Sequence, residues 1–129
     1  MDYVEEGLIY SEESYVIQGA IYEVYKHFGC GLLESVYHEA LTIELSLRNI
    51  PFQTQKEIAL SYKNIALNQK FKTDIICFDK IIIELKSVKS LEPIHYAQLL
   101  NYMRLTNIKL GLLVNFNSLK KVQIERIVL

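Results

Sequence analysis

The chain has 129 residues and a mass of 15.0 kDa; half of its residues are apolar and 22% are charged. This balance is typical of a folded domain with its own core, and it excludes a disordered chain, a collagen-like repeat and a disulfide scaffold. No apolar run approaches the roughly 20 residues that a transmembrane helix needs, so we expect no membrane partner. The net charge of −1 hides an asymmetry, because residues 1–50 carry nine acids and two bases while residues 51–129 carry six acids and twelve bases.

The basic second half has two interpretations. It hints at a surface that binds a polyanion such as nucleic acid. Alternatively, solvated helices are simply rich in glutamate and solvated strands rich in lysine, and charge alone favours this second interpretation.

The chain begins with an acidic segment, Met1 to Glu6, instead of a basic stretch followed by an apolar one. We therefore expect no signal peptide and a cytoplasmic protein. Helical spacing of apolar residues over Ser11 to Phe28 predicts the first helix, with Ser11 as its cap and Gly29-Cys30-Gly31 as its stop. A second helix is predicted from about Leu32 to Arg48.

After Pro51 the apolar period changes from that of a helix to that of a strand. We expect one α/β or α+β domain spanning 1–129, with elements in the order α-α-β-β-β-α-β-β. The predicted elements of this second part are strands Gln53 to Ser61, Phe71 to Phe78 and Ile81 to Val88, a helix from about Glu92 to Leu105, and strands Lys109 to Val114 and Val122 to Val128.

Two charged residues interrupt the predicted strand Ile81 to Val88. Glu84 and Lys86 are two positions apart and share a face with Ile82. Burying a carboxylate without a partner costs several kcal/mol, so Glu84 needs a partner or a function. The alternative is a solvated edge strand with a harmless ion pair worth about 0–1 kcal/mol.

A second acid, Asp74, lies on the preceding strand, and the hairpin register decides whether it meets Glu84. A two-residue loop at Asp79-Lys80 would place Asp74 on the opposite face. A three-residue loop that pairs Cys77 with Ile81, or a bulge in either strand, would place Asp74 across from Glu84. We predict one of these last arrangements, which would bring two carboxylates and a lysine together. Such an oxygen-only site suits magnesium or manganese.

The cysteines and histidines give weaker signals. Cys30 and Cys77 lack the spacing of a zinc site or a redox motif, and we expect two reduced thiols in packed positions. His27, His38 and His95 are most simply capping or surface residues. His27, beside the glycine-rich turn, is the best candidate among them for a chemical role.

Several motifs in this order resemble a known family. Asp74, followed after nine residues by Glu84-Leu85-Lys86, resembles the core of the PD-(D/E)XK nucleases. The segment Gly31-Leu32-Leu33-Glu34-Ser35-Val36-Tyr37 resembles the Gly-x-x-Glu-x-x-Tyr motif of the GxxExxY proteins, a small-domain branch of that superfamily. Gln98-Leu99-Leu100-Asn101-Tyr102 resembles the helix motif of RecB-type nucleases. The resemblance runs from about His27 to the C-terminus, and it implies a restriction-endonuclease-like core with a central mixed β-sheet flanked by helices.

The chain departs from the GxxExxY pattern at two places. Gly29-Cys30-Gly31 stands where that family tends to have Gly-Pro-Gly, and Tyr96 stands where it tends to have an acid. Neither position is an expected metal ligand, so these departures do not exclude activity.

The resemblance implies roles for seven residues. Asp74, Glu84 and the backbone carbonyl of Leu85 would bind Mg²⁺ or Mn²⁺, with Glu34 as a further ligand, directly or through water. Lys86 would orient the attacking water and neutralise negative charge. Gln98 and Tyr102 share a helix face, and they would hold the nucleophile, a phosphate oxygen or Lys86, or simply pack the helix.

Two hypotheses about function follow. The favoured one is a metal-dependent nuclease acting on nucleic acid, with DNA preferred to RNA. The alternative is a non-enzymatic nucleic-acid-binding or assembly module that keeps the fold. A chain of 129 residues has little surface for selecting a substrate, so self-association as a homo-oligomer is a further hypothesis.

Overall fold

The computed structural model describes residues 9–129, and the prediction made on Met1 to Glu6 lies outside this range. A five-stranded sheet is flanked by helices on both faces. In chain order the elements are α1 (Ser11–Phe28), α2 (Glu34–Leu47), β1 (Phe52–Tyr62), β2 (Ile65–Cys77), β3 (Ile81–Lys86), α3 (Pro93–Thr106), β4 (Leu110–Asn115) and β5 (Gln123–Val128). The predicted element order and the mixed α/β fold are confirmed.

The sheet is mixed, with its strands in the order β1-β2-β3-β4-β5. Strands β3 and β4 run parallel and all other neighbours run antiparallel. Helix α3 connects the parallel pair, as a crossover connection requires. Strands β3 and β4 therefore occupy the buried centre, which explains why their sequences are rich in branched apolar residues.

The two faces of the sheet carry different helices. Buried residues of α1 and α2, among them Ile17, Tyr37 and Leu41, form one core with alternate residues of the central strands. On the other face, Leu99 and Met103 of α3 form a smaller core with Ile76, Ile82 and Leu113. Gly111 on β4 lets α3 approach closely, because a Cβ atom there would lie 2.8 Å from the Met103 sulfur.

Two local predictions are wrong. Ser11 is the first residue of α1 and not its cap, because the Ser14 amide already bonds to the Tyr10 carbonyl oxygen at 2.8 Å. Strand β2 begins at Ile65 and not near Phe71. Its first part is exposed, and its only strand partner within residues 9–129 is β1. The apolar residues Ile65, Ala66 and Leu67 are followed by polar ones, so the apolar pattern is too short to identify the strand.

The β2–β3 turn takes the three-residue form. Cys77 pairs with Ile81, and Phe78 and Asp79 adopt left-handed backbone angles with φ of 57° and 56°. The Lys80 amide closes the turn on the Cys77 carbonyl oxygen at 3.0 Å. This register, one of the open alternatives, sets which residues of β3 face α3.

Among the helices of residues 9–129, none is long and apolar enough to span a bilayer.

Candidate active site

The site lies where β2 and β3 separate. Their ladder ends at the pair Ile75–Ile83, and the next positions along the same register are Asp74 and Glu84. Glu84 is only 5% exposed although it sits on a central strand. The alternative of a solvated edge strand is therefore wrong, and the predicted meeting of the two acids is confirmed.

The two carboxylates replace the missing backbone ladder. The Asp74 amide donates a hydrogen bond to Oε1 of Glu84 at 3.2 Å, and the Leu85 amide donates one to Oδ2 of Asp74 at 2.9 Å. Each acid therefore binds the backbone of the opposite strand. These two hydrogen bonds fix both side chains where the strands separate. Each bond uses one oxygen of its carboxylate, so the second oxygen of each acid takes no part in it.

Burial and charge act together on Glu84. Removal from water is the largest effect and the negative charge on Asp74 is the next, and they raise the pKa of Glu84 from 4.5 to about 8. The amide of Asp74 and the ammonium of Lys86 oppose the shift. Ionisation of Glu84 beside Asp74 is therefore unfavourable in the protein alone, and a bound cation would relieve this repulsion.

Glu34 approaches the same site from α2. The surrounding protein partly desolvates its carboxyl, and with the charge on Asp74 this raises its pKa, against opposing effects of Lys86 and His38. Glu34 is the first residue of α2, so the conformation of the preceding loop determines the position of its side chain.

The Gly-x-x-Glu-x-x-Tyr segment explains how this loop is held. Gly31 has a φ of 102°, which favours glycine. The buried hydroxyl group of Tyr37 donates to the Gly29 carbonyl oxygen at 2.7 Å and accepts from the Leu32 amide at 3.2 Å. The tyrosine of the motif therefore fixes the loop, while its glutamate faces the site.

Lys86 lies at the end of β3 and contacts α3. Its Nζ donates to Oε1 of Gln98 at 3.1 Å. Its carbonyl oxygen accepts from the Phe116 amide at 2.9 Å. Both ends of the residue are thus held, and the ammonium group keeps further donors free for a ligand.

The segment after Lys86 is fixed by a buried amide. Asn115 accepts from the Val88 amide at 3.0 Å and donates to the Val88 carbonyl oxygen at 2.9 Å. Ser87 donates to the Leu32 carbonyl oxygen at 2.6 Å, which ties this segment to the loop before α2. The elements that carry Glu34 and Lys86 are therefore joined directly.

Tyr102 lies one turn after Gln98 on α3 and stacks on Phe71 of β2, with ring centroids 4.4 Å apart. Burial, followed by the charges on Glu84 and Asp74, raises the pKa of Tyr102. The ring packs as an amphipathic helix residue would, and it also borders the acidic site.

His38 lies at the site, which sequence reasoning missed. Its Nε2 is 3.2 Å from both the Asp74 carbonyl oxygen and the Thr54 hydroxyl oxygen. Its position four residues after Glu34 on one helix was the available signal. His27, the histidine favoured from the sequence, is instead exposed at the end of α1, and His95 bonds the Glu92 amide at the start of α3.

A cavity of about 360 Å³ opens on this group, and Glu34, His38, Gln55, Asp74 and Leu85 are among the residues that line it. Across residues 9–129, no three His, Cys, Asp or Glu side chains converge tightly enough to enclose a metal ion by themselves. The oxygen-only donors fit Mg²⁺, which is usually held by one or two carboxylates and keeps several waters. Asp74 and Glu84 fit this pattern, and Glu34 fits it as a further ligand, directly or through water.

Comparison with known proteins agrees with this geometry. The model of the PD-(D/E)XK nuclease superfamily matches residues 11–127. The protein belongs to the PD-(D/E)XK nuclease superfamily. Nucleases of this superfamily generally use divalent metals.

One similar solved structure is a crystal structure of SSO0001, with a TM-score of 0.55 and 22% sequence identity. The match covers 73% of this chain and 48% of that one, so this chain spans about half the length of SSO0001. At this identity the likeness shows the fold alone. No curated protein matches the chain.

Proposed function

We propose that the protein is a Mg²⁺- or Mn²⁺-dependent nuclease that hydrolyses phosphodiester bonds, in DNA rather than RNA. The observation that carries this proposal is the reciprocal contact of Asp74 and Glu84 across the separated strands, with Lys86 at the end of the same strand.

In the proposed site, Asp74 and Glu84 would hold the cation with the Leu85 carbonyl oxygen, and Glu34 would be a further ligand, directly or through water. When bound, a divalent cation lowers the pKa of a coordinated water and neutralises charge on phosphate oxygens. The role of the carboxylate groups is therefore to bind the cation and to fix its position.

Lys86 supplies the positive charge that belongs to the chain itself. Its bond to Gln98 holds the ammonium group against α3, and its remaining N–H groups would orient the attacking water and stabilise negative charge on the phosphate. Tyr102 and its partner Phe71 support the helix face that carries Gln98. Hydrolysis then adds water to phosphorus and breaks the bond to the leaving oxygen.

The experiment measures cleavage of labelled single-stranded, duplex and flapped DNA and of RNA, with Mg²⁺, with Mn²⁺ or with EDTA. We expect metal-dependent cleavage that Asp74→Asn abolishes. We expect Lys86→Gln to lower kcat by roughly 10²–10³-fold, the scale for loss of one preorganised charge-stabilising donor. Asp79→Asn is the matched control, because it removes an exposed acid from the adjacent turn.

Calorimetry with Mn²⁺ separates the two hypotheses on function. The nuclease requires cation binding that Asp74→Asn removes and Lys86→Gln retains. A folded protein that binds no cation and cleaves none of the substrates would overturn the proposal and favour the non-enzymatic nucleic-acid-binding module. Cleavage that survives both EDTA and Asp74→Asn would also overturn it.

A further inference from the structure

The first part of the β1–β2 hairpin extends beyond the rest of the sheet. Residues 54–73, which we name the arm, pair with each other, whereas β3 pairs only with positions 75–77 of β2. Nine residues of β1 at about 3.3 Å each give the arm a length of roughly 30 Å. Almost all of its residues are exposed, so the arm adds little to the core.

The arm has a strong positive charge. It carries Lys56, Lys63, Lys70 and Lys72 against a single acid, Glu57. All four lysines are exposed. Both ion pairs among residues 9–129 involve other cations, so the four ammonium groups are available to an external partner.

The position of the charges follows the arm from base to tip. Lys72 lies across from Glu57 and Lys70 across from Ala59, near the body of the protein. Lys63 occupies the turn at the tip, seven residues and roughly 23 Å along the strand from Lys56. Lys70 and Lys72 share one face of the ribbon, and Lys56, which lies across from Thr73, is on the other face. The charges therefore extend along both faces of the arm, over a length that matches an extended polyanion better than a small anion.

The base of the arm is part of the candidate active site. Gln55 lines the same cavity as Asp74, and Phe71 stacks on Tyr102. Helices α1 and α2 together carry six glutamates and one lysine, and one of these glutamates, Glu34, belongs to the candidate site at the base of the arm. A polyanion is therefore attracted to the arm, whereas the other glutamates of the two helices repel it.

We infer that the arm binds duplex DNA through phosphate contacts of its four lysines and holds the duplex across the site. This inference rests on the proposed nuclease function and names the substrate form. The major groove of B-DNA admits a two-stranded β-ribbon, whereas the major groove of duplex RNA is deep and narrow. Single strands are bound on stacking aromatic side chains, and the arm has two aromatic rings. Phe71 is stacked on Tyr102, and the Lys63 ammonium group lies 5.5 Å from the centroid of the Tyr62 ring.

The test measures binding of a fluorescein-labelled 30-base-pair DNA duplex by fluorescence anisotropy, in EDTA, over a range of NaCl concentrations. The arm variant K56Q/K63Q/K70Q/K72Q removes the charge of the arm. The matched control K26Q/K109Q/K120Q/K121Q removes four exposed lysines elsewhere. Thermal unfolding of both variants checks that they fold.

We expect the arm variant to bind the duplex at least about tenfold more weakly at low salt. The slope of log affinity against log salt should fall in magnitude by about 3 to 4, close to one unit for each lost phosphate contact. The control should keep most of the affinity and the slope. Manganese binding by the arm variant should be unchanged, because its carboxylates are intact.

Equal losses in the two variants, or no loss in the arm variant, would overturn the inference. Tighter binding of the single strand or of an RNA duplex than of the DNA duplex would also overturn it. The Asp74→Asn protein keeps these failures separate from those of the nuclease proposal. It should bind the duplex through the arm while cleaving nothing, so binding tests the arm and cleavage tests the site.

Discussion

Replacing the most buried acid of the site should stabilise the metal-free protein at high pH. Glu84→Gln keeps the shape of the side chain and an oxygen that can accept from the Asp74 amide, but it removes the ionisable group. Native Glu84 must ionise in a buried site beside another carboxylate. The variant avoids that cost.

The size of the effect follows from the pKa of Glu84, which is about 8 in the folded protein, whereas the usual pKa of a glutamate is 4.5. Between these values the folded protein holds a proton that the unfolded chain has lost, so stability is full below the lower pKa and falls as pH rises through the higher one. Each pKa unit corresponds to about 1.4 kcal/mol, so the whole interval lowers the free energy of unfolding by up to roughly 5 kcal/mol. That is a large part of the 5–15 kcal/mol total that is typical of a domain.

The assay is urea denaturation in EDTA at several pH values between 5 and 9. The free energies of unfolding of native protein and Glu84→Gln should be similar near pH 5 and diverge as pH rises. Glu39→Gln, the same change at an exposed position of α2, should follow the native curve. Added Mn²⁺ should narrow the gap, since a cation favours the ionised carboxylate.

Parallel curves for native protein and Glu84→Gln over the whole pH range would refute this reasoning. They would mean that Glu84 ionises as easily in the folded protein as in the unfolded chain. Its carboxyl group would then be neither desolvated nor repelled by the charge on Asp74.

Two further predictions concern packing. Gly111→Val should lower the free energy of unfolding by about 1–3 kcal/mol, as measured by urea denaturation, because the new side chain overlaps Met103. Adding Met103→Ala to this variant should restore part of the lost stability, and additive effects of the two substitutions would contradict the close approach of α3. Burial raises the pKa of Cys77 to about 12. A thiol reagent at pH 8 should therefore modify the partly exposed Cys30 in the native protein and react with Cys77 only after unfolding. Rapid reaction of both thiols without denaturant would contradict the burial of Cys77.

The sequence predicted the central part of the site because its residues break a local rule. Glu84 and Lys86 stand out in an apolar strand, and their spacing alone places them on one face. The register that brings Asp74 to Glu84 could only be narrowed to alternatives, because loop length and backbone angles decide it and several turns fit the same residues.

The arm and His38 were beyond the same reasoning for different reasons. The first part of β2 is held by β1 alone and buries almost nothing. Ile65 and Leu67 alternate over only three residues, which is too short a pattern to mark residues 65–70 as a strand. His38 stands four residues after Glu34 on the same helix, but this spacing alone does not show that its ring faces the acids. Only the packing of α2 against the separated strands brings its ring to Asp74.

The turn between β2 and β3 has a consequence for how this protein tolerates change. Side chains alternate along a strand, so removing one residue from positions 78–80 would move β3 by half a repeat. Glu84 would then project between α1 and α2, into the apolar core. The number of residues in this turn thus determines which face of β3 carries Glu84 and Lys86, although the turn itself lies outside the candidate site.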